Sequence, residues 1–243
     1  MDTAKANLTR RGRNRSAVAR LLALILTTSA LAAQIDPRRN ESGDGSGPVA
    51  PPAPSSFNNR APNRNAPGPW DNDVLVYRLG TDGRPDKLAT FERAGVPTVT
   101  RLNDGRLLAA FQHFPQDDNR NFDRVAVRFS NDEGRVWSKP QPIVVEGMEP
   151  GLARPFDPTL VPLPDGHIRL YFTSNRSPDF RRSVPTIYSA SSVDGIHYTF
   201  EPGVRFAIEG RVVIDCAAAL HGGVFHLIVP DNGDAEDFMN RPQ

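Results

Sequence analysis

The chain has 243 residues, 38% of them hydrophobic and 23% charged, with 29 Lys and Arg against 28 Asp and Glu. A formal net charge of +1, with no Lys/Arg face interleaved with aromatics, argues against a nucleic-acid-binding surface. The single cysteine, Cys216, excludes an internal disulfide, and its apolar setting between Val212 and Ala219 makes it a small buried hydrophobe.

Residues 1–32 read as a secretory signal. Lys5, Arg10, Arg11, Arg13, Arg15 and Arg20 lead into Leu21-Leu22-Ala23-Leu24-Ile25-Leu26, and Ala30-Leu31-Ala32 offers small residues for cleavage. The apolar run is too short to span a bilayer, so no membrane span is expected once it is removed, and the protein is expected to be secreted or periplasmic. Six basic residues and Asp2 leave with it; taking that net +5 from +1 leaves −4. Residues 33–70 are rich in Pro, Asn, Ser and Gly and poor in large apolar side chains. They cannot bury enough surface to offset their ordering entropy and read as a linker.

The folded part is expected over 71–243, beginning with a strand at Val74–Leu79 and a turn at Thr81 to Pro85. The next strands are Val96–Leu102, Arg106–Phe111, Arg124–Phe129 and Pro142–Val145. A second set follows at Thr159–Leu163, His167–Phe172, Thr186–Ser191 and Val204–Ile208. The two sets align without a gap from Pro97-Thr98 to Phe111 and from Pro158-Thr159 to Phe172, an offset of 61 residues. A third unit starts at Val212 and reaches Val224–Val229 through the turn His221-Gly222-Gly223. Each complete set carries a turn built from Ser and Asp two apart, a glycine and an aromatic: Ser130, Asp132, Gly134 and Trp137, then Ser192, Asp194, Gly195 and Tyr198. Ser and Asp side chains bond the backbone of a tight hairpin, Gly supplies a positive φ, and the aromatic packs beneath the turn.

This turn resembles the Asp-box, or BNR repeat, of sialidase-like β-propellers, Ser-x-Asp-x-Gly-x-x-Trp. The first copy meets every position; the second is one residue shorter and has Tyr198 for the Trp. The resemblance implies an all-β fold, a β-propeller of four-stranded antiparallel blades, of which two and a half to three are present. A closed propeller needs about four to eight, so the chain is expected to be the N-terminal piece of a longer protein. In that family the box residues are structural and sit away from the central funnel.

In a propeller the first strand of each blade lines the axis. The equivalent positions here are Val96-Pro97-Thr98, Asp157-Pro158-Thr159 and Asp215-Cys216-Ala217, which puts two carboxyl groups in neighbouring blades. Glycoside hydrolysis ordinarily uses such a pair, one as acid and one as nucleophile or base. Arg154-Pro155-Phe156-Asp157-Pro158 is similar to the Asp-Pro segments of five-bladed invertase- and arabinanase-like glycosidases, where the Asp is a catalytic or transition-state-stabilising acid. The candidates are therefore Asp157 and Asp215, with Arg154 as a substrate-positioning or pKa-lowering cation. The loop Gln112 to Arg120 stands where sialidase-like enzymes present an acid/base Asp, which nominates Asp118 or Asp117, with His113 as a substrate contact. The Arg-Ile-Pro motif of sialidases is replaced by Gly95-Val96-Pro97. No cofactor and no metal are expected: His221 and His226 lack zinc-like spacing, and Asp231, Asn232 and Asp234 lack the ligand series of a calcium loop. The expected function is a glycoside hydrolase acting on extracellular glycans. The alternative is a non-catalytic propeller that binds carbohydrate or protein partners.

Overall fold

The structure, a computed structural model, describes residues 67–177 and 182–240; the signal segment and all but the last four residues of the linker lie outside the described residues. The described part is nearly all β. A 3-10 turn at Pro69–Asp71 leads to a hairpin of β1 (Val74–Leu79) and β2 (Pro85–Phe91). A four-stranded antiparallel sheet follows, β3 (Ala94–Arg101), β4 (Leu107–His113), β5 (Arg124–Ser130) and β6 (Gln141–Pro142). The next sheet has five strands in the order β7 (Val144–Glu146), β11 (His197–Phe206), β10 (Thr186–Ser192), β9 (Ile168–Ser174), β8 (Phe156–Pro162). A last hairpin, β12 (Ala217–His221) and β13 (Val224–Ile228), precedes a short helix α1 (Ala235–Asn240). None of these sheets closes on itself.

Three apolar cores separate the layers. Phe91 and Val74 of the first hairpin pack on Ala109, Phe111 and Ala126 of the four-stranded sheet. The other face of that sheet, Leu108, Ala110, Val125 and Val127, packs on Leu170, Phe172, Tyr188 and Phe200. The far face of the five-stranded sheet, Val161, Tyr171 and Ile187, packs on Val213, Cys216 and the last hairpin. Both faces of each central sheet are thus buried, which is why Leu107-Leu108-Ala109-Ala110-Phe111 is a continuous apolar run rather than an alternating one. Neighbouring sheets meet mainly through their first strands, β3 against β8 and β8 against β12. Equivalent threonines tie those strands together: the Thr98 hydroxyl accepts the Leu160 N–H at 3.5 Å, and the Thr159 hydroxyl donates to the Cys216 carbonyl.

The paired turns are built as their side chains dictate. The Ser130 hydroxyl donates to Asp132 at 2.9 Å and accepts the Gly134 N–H at 2.9 Å, and Asp132 accepts the Val136 N–H at 2.8 Å. Trp137 donates its indole N–H to the Gly134 carbonyl at 2.8 Å. The second turn repeats this with Ser192, Asp194 and Gly195, and the Asp194 carboxylate takes the N–H groups of both Ile196 and His197 at 2.8 Å. Against its desolvation, the His197 ring at 2.8 Å and then these bonds hold the Asp194 carboxyl well below the usual carboxylate range. Each glycine faces the preceding layer: a Cβ on Gly134 would stand 3.6 Å from Leu88, and one on Gly195 2.9 Å from Leu108.

Several expected boundaries shift. The strand expected at Pro142–Val145 is divided, because Pro140 and Pro142 have no N–H to extend pairing with β5. Only Gln141–Pro142 stays on that sheet, and Val144–Glu146 crosses to pair in parallel with β11. The strand expected at Val204–Ile208 begins instead at His197, directly after the shortened turn, and its register slips at Pro202-Gly203, where Gly203 takes φ 89° and donates to Glu149. β2 and α1 were not expected from the sequence. The Asp231, Asn232 and Asp234 side chains serve the fold: Asp231 pairs with Arg211, Asn232 accepts the Ile214 N–H, and Asp234 caps α1 through Glu236 and Asp237. Among the described residues no helix is long and apolar enough to cross a membrane.

Candidate functional site

The three aligned first-strand positions share one backbone anomaly. Val96, Asp157 and Asp215 all lie in the left-handed region, at φ 47°, 51° and 71°. At the first two, the pairing of β3 with β4 and of β8 with β9 slips, as a bulge requires. A β-branched residue there is a strong outlier, and each such non-glycine residue costs on the order of 1–3 kcal/mol. Strain of this kind gathers at working sites.

Asp157 and Asp215 are half-buried and interact. The Thr173 hydroxyl, fully buried on β9, accepts the Asp215 N–H at 2.9 Å and lies near enough to the Asp157 carboxyl to favour its charged form. Desolvation, then the neighbouring Asp215 charge, push the Asp157 carboxyl up to about 6 against the Thr173 hydrogen bond. Burial also raises Asp215, whose carboxylate accepts the Cys216 N–H at 2.7 Å. Burial and the Asp215 charge push the Cys216 thiol up to about 12, so it stays protonated and unreactive.

Asp157 opens onto a hollow of about 510 Å³, and Asp215 onto an adjoining one of about 620 Å³ between β3, β8 and β12; Val96 borders both. Trp70, Phe114 and Phe122 wall the first hollow, with Phe122 5.6 Å from Phe114 and 6.2 Å from Trp70 between ring centres. Its polar part is an ordered cluster. Arg154 pairs with the Asp123 carboxylate and donates through Nε to the Asp123 carbonyl at 2.6 Å. Gln112 donates to the other Asp123 oxygen at 2.7 Å. Asp123 itself holds φ 57°, and its N–H donates to the His113 carbonyl at 2.8 Å.

The structure therefore brings Asp157, Asp215 and Arg154 to one region and leaves Asp118, Asp117 and His113 out. Asp118 does not line the hollow. Its carboxylate accepts the Arg120 and Asn121 N–H groups and the Asn121 side-chain amide, which hold its pKa below the usual range, so it shapes its own loop. Asp117 is exposed on that loop. His113 falls on the opposite face of β4 from Gln112, against the Phe111 ring at 5.9 Å, where burial and then Arg128 lower its pKa and keep it neutral. Alternation along β4 sends residue 112 to the hollow and 113 away from it. Arg154 is in place but does not lower the Asp157 carboxyl; its charge is matched to Asp123. Gln112, Asp123 and Thr173 were not read from the sequence. The signal nearest to them was the alignment that paired Asp157 with Asp215, since Thr173 stands between those two.

No family model matches the chain, and no curated protein matches it. Solved structures with partial likeness include a Hadza microbial sialidase, 18% identical over 66% of this chain and 36% of that one, with a TM-score of 0.48. The α-L-arabinanase of Penicillium chrysogenum is 18% identical over 65% and 49%, at 0.46. That of Cellvibrio cellulosa is 14% identical over 69% and 61%, at 0.44. A protein of unknown function from Dyadobacter fermentans is 13% identical over 56% and 43%, at 0.40. The chain spans less than two thirds of the length of each of these.

Proposed function

We propose that the layered sheets are blades of a β-propeller exported by the segment at 1–32, and that the chain supplies part of a glycoside hydrolase acting on extracellular glycans. The observation that carries this is Asp157: a carboxyl at the wall of an aromatic-sided hollow, raised to about 6 by burial and by a second carboxylate. An acid that keeps its proton into the mildly acidic range can donate it to a leaving glycosidic oxygen. Asp215 beside it supplies the second carboxyl such a cleavage needs, as nucleophile or as base for water. The Thr173 hydroxyl accepts the Asp215 N–H and favours the charged form of Asp157, so it stands close to both residues. Arg154 holds Asp123 rather than the acid.

The test is turnover by the full chain of a set of nitrophenyl glycosides near pH 5 to 6, with Asp157→Asn and Asp215→Asn. A fall of at least a hundredfold in kcat in each variant is the expected result. Equal turnover by wild type and both variants overturns the assignment, and no turnover by a wild type that still binds sugar favours the non-catalytic alternative.

A further inference from the structure

The polar cluster in the aromatic-walled hollow has its charges already spent. Arg154 is the one cation among the described residues lining it, and Asp123 engages that cation through both its carboxylate and its carbonyl. An acidic ligand would have to displace Asp123 from a partly buried ion pair, leaving that carboxylate uncompensated. What the cluster leaves unmet is an acceptor. Gln112 is 4% exposed, and because a carboxylate can only accept, its amide NH₂ must be the end facing Asp123. Its Oε1 is then fixed on the other side, buried and with no donor among the described residues. Leaving such an atom unpaired costs about 1–3 kcal/mol. Trp70, Phe114 and Phe122 line the same hollow as Gln112, and its volume, about 510 Å³, is that of a small-ligand site.

Resting on the hydrolase reading above, we infer that this hollow takes an uncharged, hydroxyl-rich sugar ring, donating a hydroxyl to Gln112 Oε1 and laying its C–H face on the aromatic wall, and that it refuses acidic sugars. Asp123 is the positioning residue for both effects: it orients the Gln112 amide and withholds the Arg154 charge from the ligand.

Ligand-observed NMR on the full chain tests this with two sets of probes. The neutral set is the methyl glycosides of galactose, xylose, arabinose and glucose; the acidic set is those of glucuronic acid and sialic acid. At least one neutral glycoside is expected to bind and neither acidic one. Gln112→Leu is expected to weaken the neutral ligand about tenfold, the loss of one hydrogen bond. Asp123→Asn, which frees Arg154, is expected to admit the acidic sugars, an effect that general loosening of the fold would not produce. Binding of an acidic glycoside by the wild type, or failure of every neutral one to bind, overturns the inference. Neutral sugar bound without hydrolysis leaves it standing while removing the hydrolase reading; hydrolysis of an acidic glycoside does the reverse.

Discussion

Replacing Asp157 with Asn removes the ionisation that the fold opposes and keeps the shape of the side chain. A carboxyl that titrates near 3.8 in the unfolded chain and about 6 in the folded one binds its proton more tightly when folded. Over that interval the native state holds more protons, so stability falls as pH rises from about 4 to about 6 and stays at the lower level above it. The gap corresponds to about 3 kcal/mol at most. Asp157→Asn carries no such penalty. At pH 8 it should be more stable than the wild type by up to about 3 kcal/mol, a rise in Tm of roughly 6–12 °C. At pH 4 the advantage should shrink toward zero, because both side chains are then neutral. Urea denaturation of the two proteins at pH 4, 5, 6, 7 and 8 measures the difference directly, and subtraction cancels groups titrating alike in both. A difference that does not vary with pH, or a wild type that gains on the variant as pH rises, would falsify the claim that Asp157 is desolvated beside a second carboxylate.

The two Ser-x-Asp turns make opposite predictions for their aromatics. Trp137 spends its N–H on the Gly134 carbonyl, whereas the Tyr198 hydroxyl is buried without a partner, so Tyr198→Phe should be neutral or stabilising by about 1 kcal/mol in urea denaturation. Glycines separate packing from backbone strain. Gly195→Ala would place a Cβ 2.9 Å from Leu108 and 3.3 Å from Phe129 at φ 80°, and should cost about 2–4 kcal/mol. Gly147→Ala at φ 75° meets nothing within 4 Å and should cost about 1 kcal/mol, the backbone penalty alone; equal costs at the two sites would discard the packing explanation.

What could be read from the sequence was what is local or repeated. Ser130, Asp132, Ser192 and Asp194 bond backbone groups within four residues of themselves, so their pattern specifies the turn wherever it occurs. The repeat likewise placed Val96, Asp157 and Asp215 at matched positions, where all three now show the same left-handed backbone. What escaped depends on distant partners. β7 leaves its own sheet for β11 because of two prolines and an edge 50 residues onward, which no window of sequence contains. The difference between Asp118 and Asp123 was illegible in the sequence for a related reason. Both belong to the loop between β4 and β5, and only its folded path shows Asp118 turned onto Arg120 and Asn121 while Asp123 reaches Arg154.

A left-handed residue recurs at the start of each repeat unit. In β3 and β8 it makes a bulge, which bends the strand and re-aims the side chain there, and the third copy, Asp215, stands just before β12, where β3, β8 and β12 approach one another. If the conformation served only the fold, glycine would fill it without strain. The chain instead places Val96 in the first copy and a carboxylate in the next two. Val96 borders both hollows, while Asp157 lines one and Asp215 the other. The strain at residues 157 and 215 is thereby tied to holding two like charges near one another at adjoining hollows, an arrangement that packing alone would avoid.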